Sequence, residues 1–111
     1  VEITLVTRET DGYSVVEVSG EVDVYTAPQL DEQLSGLVEA GSYQLVVDLS
    51  AVEFLDSTGL GVLVKALKRV REHGGSLAVV TSTDRISKVF RITGLDTAIG
   101  LHSSVDEAVA G

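Results

Sequence analysis

The chain alternates between short β-branched runs and longer stretches with helical spacing of apolar residues. Ile3-Thr4-Leu5-Val6 and Ser14-Val15-Val16-Glu17-Val18 flank the turn signal Asp11-Gly12, which predicts an opening hairpin. Gly20-Glu21-Val22-Asp23 is expected to lead the chain off the second strand. Thr26-Ala27-Pro28-Gln29 then has the spacing of a capping box, with the Thr26 hydroxyl accepting from a first-turn amide and Gln29 reaching back. Leu30, Leu34, Leu37 and Val38 form one apolar stripe of the helix that follows, and Gly41 ends it.

Leu45-Val46-Val47-Asp48-Leu49 is nearly continuous aliphatic sequence, the mark of a strand covered on both faces. Leu60, Leu63, Val64, Leu67 and Val70 predict a second helix, closed by His73 and Gly74-Gly75. Leu77-Ala78-Val79-Val80 reads as another buried strand. Asp84 to Thr93 predicts a short helix with Ile86, Val89 and Phe90 inward, stopped by Gly94. A short strand near Ile99-Leu101 and a last helix opened by the capping box Ser104-Val105-Asp106-Glu107 complete the chain. Strands joined through helices make the fold class α/β, with at least part of the sheet parallel.

With 111 residues, 44% of them apolar, the chain has material for one domain, 1–111, and one core. Eight basic and seventeen acidic residues give a formal charge of −9, which repels phosphate backbones and anionic lipids. No direct nucleic-acid partner and no membrane partner is expected; a protein with a basic face fits better. Absence of cysteine removes disulfides, thiolate catalysis and thiolate-bound zinc. No apolar run approaches the ~20 residues of a membrane span, and no basic-then-apolar leader opens the chain. A soluble, cytoplasmic protein is expected.

The segment from Val52 to Gly61 carries the candidate chemistry. Asp56, Ser57 and Thr58 fall where a helix begins, and Gly59 and Gly61 lie just inside it. Glycine costs roughly 1 kcal/mol in a helix interior, so close packing or the approach of a partner or phosphate must justify the pair. Ser57 has three readings. It can be an N-cap, for which Asp, Ser and Thr all serve. It can be a nucleophile, but His73 lies about a helix length away and His102 has no fixed place, so no base is evident. It can be a phosphoacceptor, facing free amides and the positive end of the helix dipole. Asp23 can make a local loop hydrogen bond, or share a rim with Asp56 if the two strands end at one edge. The turn lacks the lysine and spacing of a phosphate loop, since Val62 follows Gly61.

Three segments carry a resemblance when taken together. They are Gly20-Glu21-Val22-Asp23 with Thr26-Ala27, then Phe54-Leu55-Asp56-Ser57-Thr58-Gly59-Leu60-Gly61, and last Ile92-Thr93-Gly94-Leu95. In this order the chain resembles the bacterial anti-sigma factor antagonists of the STAS domain family, and its composition resembles the actinobacterial type. The resemblance implies a small mixed sheet of four to five strands with about four helices mainly on one side. It implies a non-enzymatic partner switch in transcription, serving stress response, sporulation or development. The unphosphorylated form would bind an anti-sigma factor that is itself a serine/threonine kinase, freeing a sigma factor. Phosphorylation of Ser57 would end binding, and a PP2C-type phosphatase would reset it. Asp23, Asp56, Ser57, Thr58 and Gly59 would form the partner-binding set, with Thr58 a second possible acceptor. No cofactor is implied, since ATP and magnesium belong to the kinase, and the protein would be a monomer or weak dimer. Two alternatives stand beside this reading: an unphosphorylated scaffold in a sensory assembly, and a nucleotide-binding module.

Overall fold

A computed structural model describes residues 2–110; the expected domain limits, Val1 and Gly111, lie outside the described residues. Strands β1 (Ile3–Thr10) and β2 (Tyr13–Val22) pair antiparallel, from Ile3 opposite Gly20 to Thr10 opposite Tyr13. Between them Asp11 and Gly12 have φ of 51° and 83°. Two positive φ values in a two-residue loop suit the right-handed twist of the strands. Both strands outrun the segments read from the sequence. Gly20–Val22, expected to leave β2, is still strand, because the pairing with the next strand shifts register around Gly20 and carries on.

Helix α1 (Ala27–Glu39) leads to β3 (Gln44–Leu55), which pairs parallel with β2. Helix α2 (Ser57–Arg71), β4 (Ser76–Val80), α3 (Asp84–Thr93), a 3-10 turn at Leu95–Thr97, β5 (Gly100–His102) and α4 (Val105–Ala110) follow. The strands lie in the order β1-β2-β3-β4-β5, with only the β1–β2 pair antiparallel. The expected α/β order and mixed sheet are therefore present.

Alternation along the strands divides the core. Val16, Val18, Leu45, Val47 and Val79 face α1, α2 and α3, where Leu30, Leu34, Leu63, Val70 and Phe90 are buried against them. On the reverse face Val15, Val46, Ala78 and Val80 form a smaller cluster under Ala108 of α4. Three helices thus cover one face and one short helix part of the other. Its capping box forms with one change: the Glu107 amide donates to Ser104 Oγ at 3.1 Å, while the Glu107 carboxylate accepts from the Ser103 amide at 3.2 Å.

Strand β3 has 12 residues, well beyond the aliphatic run that announced it. Its pairing with β4 ends at Asp48 opposite Val80, whereas its pairing with β2 continues to Leu55. On the side that β4 vacates, Ser82 Oγ donates to the Ser50 carbonyl at 2.9 Å and Arg85 Nη1 to the Glu53 carbonyl at 3.2 Å. The β2–β3 ribbon consequently projects past the rest of the sheet and carries the Asp56-Ser57 turn at its end.

Candidate functional site

The last paired residues of the ribbon, Val22 and Leu55, are both buried, and the Asp56 amide donates to the Val22 carbonyl at 3.2 Å. Asp23 and Asp56 therefore leave neighbouring strands at one end of the sheet. The shared rim left open by spacing alone is present.

Asp56 is the N-cap of α2. Its backbone is extended (φ −104°, ψ −175°), and its Oδ1 accepts from the Thr58 amide at 2.9 Å and the Gly59 amide at 3.2 Å. The next amide, of Leu60, donates to the Asp56 carbonyl at 3.1 Å. Capping thus falls to Asp56, and Ser57 becomes the first helical residue, exposed, with a hydroxyl that bonds to no described residue. This narrows the expectation of free amides around Ser57: Asp56 already fills the Thr58 and Gly59 donors, which leaves only the amide of Ser57 itself without a described partner. A phosphate on Ser57 would project into water beside a carboxylate, keeping the longer-range attraction of the helix dipole. Thr58 is also exposed.

The two glycines divide the roles that the sequence left joined. A Cβ on Gly59 would lie 2.5 Å from Leu55 Cδ1 and 2.7 Å from Val22 Cγ1, so Gly59 is buried because the helix start is pressed onto the ribbon. A Cβ on Gly61 would meet nothing within 4 Å. Gly59 lies beneath the rim; Ser57, Thr58 and Gly61 are open to solvent.

Asp23 organises the loop between β2 and α1. Its Oδ1 accepts from the Tyr25 amide at 2.9 Å and the Thr26 amide at 3.0 Å. Thr26, at the N-cap position of α1, makes no side-chain cap bond. Its hydroxyl instead accepts from the Asp23 amide at 2.9 Å and donates to the Glu21 carbonyl at 2.7 Å. The expected capping box at Thr26 is absent because these closer partners, three and five residues back, take the hydroxyl. Partial withdrawal from water raises the Asp23 carboxyl, but the Thr26 and Tyr25 amides and the Thr26 hydroxyl outweigh it and hold the group below the ordinary aspartate value.

Side chains that the linear pattern did not single out lie on the same rim. Val24 is 56% exposed, Tyr25 83% and Phe54 46%. Phe54 pairs across the ribbon with Glu21. None of Glu21, Asp23, Glu53 and Asp56 has a cation in ion-pair range among the described residues. A valine-tyrosine pair reads as core in a linear pattern; its position inside an Asp-x-x-Thr loop was the available clue to exposure. His73 stacks on Tyr43, with centroids 4.1 Å apart, and His102 Nδ1 lies 3.3 Å from Glu107, so both imidazoles are engaged away from Ser57. Among the described residues no group of three or more His, Cys, Asp or Glu could hold a metal ion, and no helix is long and apolar enough to cross a membrane.

The chain belongs to the STAS domain family, which it matches over residues 4–108. It is 38% identical over 104 residues to the anti-sigma-B factor antagonist of Staphylococcus aureus, spanning 94% of this chain and 96% of that protein. With the anti-sigma-B factor antagonist of Bacillus subtilis it shares 42% over 94 residues, 85% of each chain. The crystal structure of an anti-sigma factor antagonist from Mycobacterium paratuberculosis superposes with a TM-score of 0.90 at 38% identity, covering 97% of this chain and 92% of that one. The mycobacterial relative agrees with the actinobacterial character of the sequence.

Proposed function

We propose that the protein is a cytoplasmic, single-domain anti-sigma factor antagonist whose binding is switched off by phosphorylation of Ser57. The unphosphorylated form binds an anti-sigma factor with serine kinase activity, and a sigma factor is freed. A PP2C-type phosphatase removes the phosphate. Asp23, Asp56, Ser57 and Thr58 form the docking rim, with Gly59 packed below it. Supporting this are the names of relatives at 38% and 42% identity and, above all, one observation: an exposed, unbonded Ser57 hydroxyl at the first position of α2.

The energetics favour expulsion of the partner over refolding of the protein. Phosphate adds about −1.5 to −2 charges at neutral pH. It would stand beside Asp56 on a rim where the described residues place no cation in ion-pair range. A partner that covers a neutral hydroxyl would have to desolvate a dianion next to a carboxylate, which costs several kcal/mol, on the order of the penalty for a buried ion. The cap, made by Asp56 and not by Ser57, need not break.

The test is intact-mass spectrometry after incubation with ATP, magnesium and purified candidate anti-sigma kinases, followed by peptide mapping. One phosphate on Ser57, absent from Ser57→Ala, is the expected result. Phosphate on Thr58 alone would move the acceptor by one residue. A kinase that binds the protein without modifying it would leave a scaffold, and the switch would be withdrawn.

A further inference from the structure

We propose that the Val24–Tyr25 turn is the apolar anchor of the docking rim, that Asp23 is its positioning residue, and that the anti-sigma factor receives Tyr25 in a socket with an apolar floor and basic margin. This rests on the function proposed above and adds the chemistry of the contact.

The turn is both exposed and tied by hydrogen bonds. From Glu21 to Ala27, Asp23 Oδ1 holds two amides, Thr26 Oγ1 bridges the Asp23 amide and the Glu21 carbonyl, and the Ala27 amide donates to the Asp23 carbonyl at 2.8 Å. Loops held only for chain reversal do not need an aromatic at their tip. Here that network presents a tyrosine 83% exposed beside a valine 56% exposed. Tyrosine loses little rotamer freedom on burial and is enriched among the residues that dominate interface energy. A turn fixed beforehand also spares the ordering cost of binding.

Isolated exposed apolar residues are ordinary, but these share one end of the ribbon. Of the five large apolar residues most exposed, three, Val24, Tyr25 and Phe54, flank the paired ends of β2 and β3. Around them Glu21, Glu53 and Asp56 lack cation partners among the described residues. A surface that covers the turn therefore meets carboxylates at its edge and gains from arginine or lysine there. A second copy of this chain is disfavoured, since it would set this rim against a molecule of charge −9.

The two parts are separable by substitution. Asn at 23 keeps an oxygen that accepts from the Tyr25 and Thr26 amides; Ala does not. The experiment is calorimetric titration of full-length variants with the purified anti-sigma kinase that phosphorylates the wild-type protein, with circular dichroism as the folding control. Tyr25→Ala is expected to weaken binding about 30-fold or more. Asp23→Ala should lose about tenfold; Asp23→Asn, which keeps the acceptor and gives up the charge, should lose about threefold. Tyr25→Phe, which keeps the ring and gives up the hydroxyl, should lose far less than Tyr25→Ala. Wild-type affinity in folded Tyr25→Ala would overturn the anchor and leave the proposed function standing. Equal losses in Asp23→Asn and Asp23→Ala would overturn the positioning role and make the carboxylate itself the contact. Failure of every anti-sigma kinase to bind the wild-type protein would overturn both the anchor and the function it serves.

Discussion

Gly59 and Gly61 lie two positions apart in α2, yet alanine at each should shift stability in opposite directions. At Gly61 a new methyl enters open space, and only the helix term operates. Replacing an interior glycine with alanine stabilises a helix by about 0.5–1 kcal/mol. At Gly59 the same methyl arrives 2.5 Å from Leu55 Cδ1 and 2.7 Å from Val22 Cγ1. The leucine methyl can rotate aside. Val22 is stiff at χ1, fully buried, and joined through its carbonyl to the Asp56 amide, so it cannot yield without disturbing the ribbon. Overpacking of this kind costs roughly 1–3 kcal/mol, and the helix term returns less than half of that in a first turn. The two variants should therefore differ by about 2 kcal/mol, or roughly 9 °C in Tm for a chain of 111 residues. Urea unfolding followed by circular dichroism measures both, and the midpoint should move above wild type for Gly61→Ala and below it for Gly59→Ala. Equal shifts of the same sign would refute the claim that the helix start is pressed onto the ribbon.

Three other outcomes follow from the rim. Asp56→Ala strips two amides of their acceptor and should lower stability by about 1 kcal/mol in urea, while Asp56→Asn keeps most of it. Asp23 is held below the ordinary aspartate value, so its contribution is present above about pH 3.9 and disappears as pH falls through its folded value. The stability gap between wild type and Asp23→Asn should thus close in acid unfolding curves below about pH 4 and stay constant above about pH 5; a gap that widens on acidification would reverse the sign. Association with the anti-sigma kinase should weaken as salt rises from about 0.05 to 0.15 M, and a flat response would remove the basic margin assigned to the socket.

Most of the fold was legible because periodicity reports it directly. The stripe from Leu30 to Val38 and the run Leu77–Val80 needed no tertiary information. The end of β3 did. Its residues Ser50 to Phe54 do not alternate, since the register against β2 shifts and no β4 lies alongside, so local pattern stops where pairing continues. Thr26 shows a different limit: Thr-Ala-Pro-Gln spells a capping box, but Asp23 and Glu21 compete for the hydroxyl and win by proximity. At the site, Asp-Ser-Thr marked a helix start correctly without saying which of the three would cap it. Only the geometry, with Asp56 extended and its Oδ1 on two amides, frees Ser57. The exposure of Tyr25 was marked in the sequence only by its place inside an Asp-x-x-Thr loop, because an apolar side chain is placed outward there by the hydrogen bonds of its neighbours.

Among the motif residues, Ser57 is the one on which folding makes no demand: neither its hydroxyl nor its amide is bonded to a described residue, and its side chain is in water. A library varied at 57 and 59, ranked only by stability, would rank nearly every residue alike at the first position and favour glycine at the second. Drift at 57 is therefore free of structural cost. On the proposed function, a lineage could lose the hydroxyl in a single step and inherit an unchanged domain without its acceptor at 57. On that reading the serine serves the signal alone, at a place where the architecture itself is indifferent.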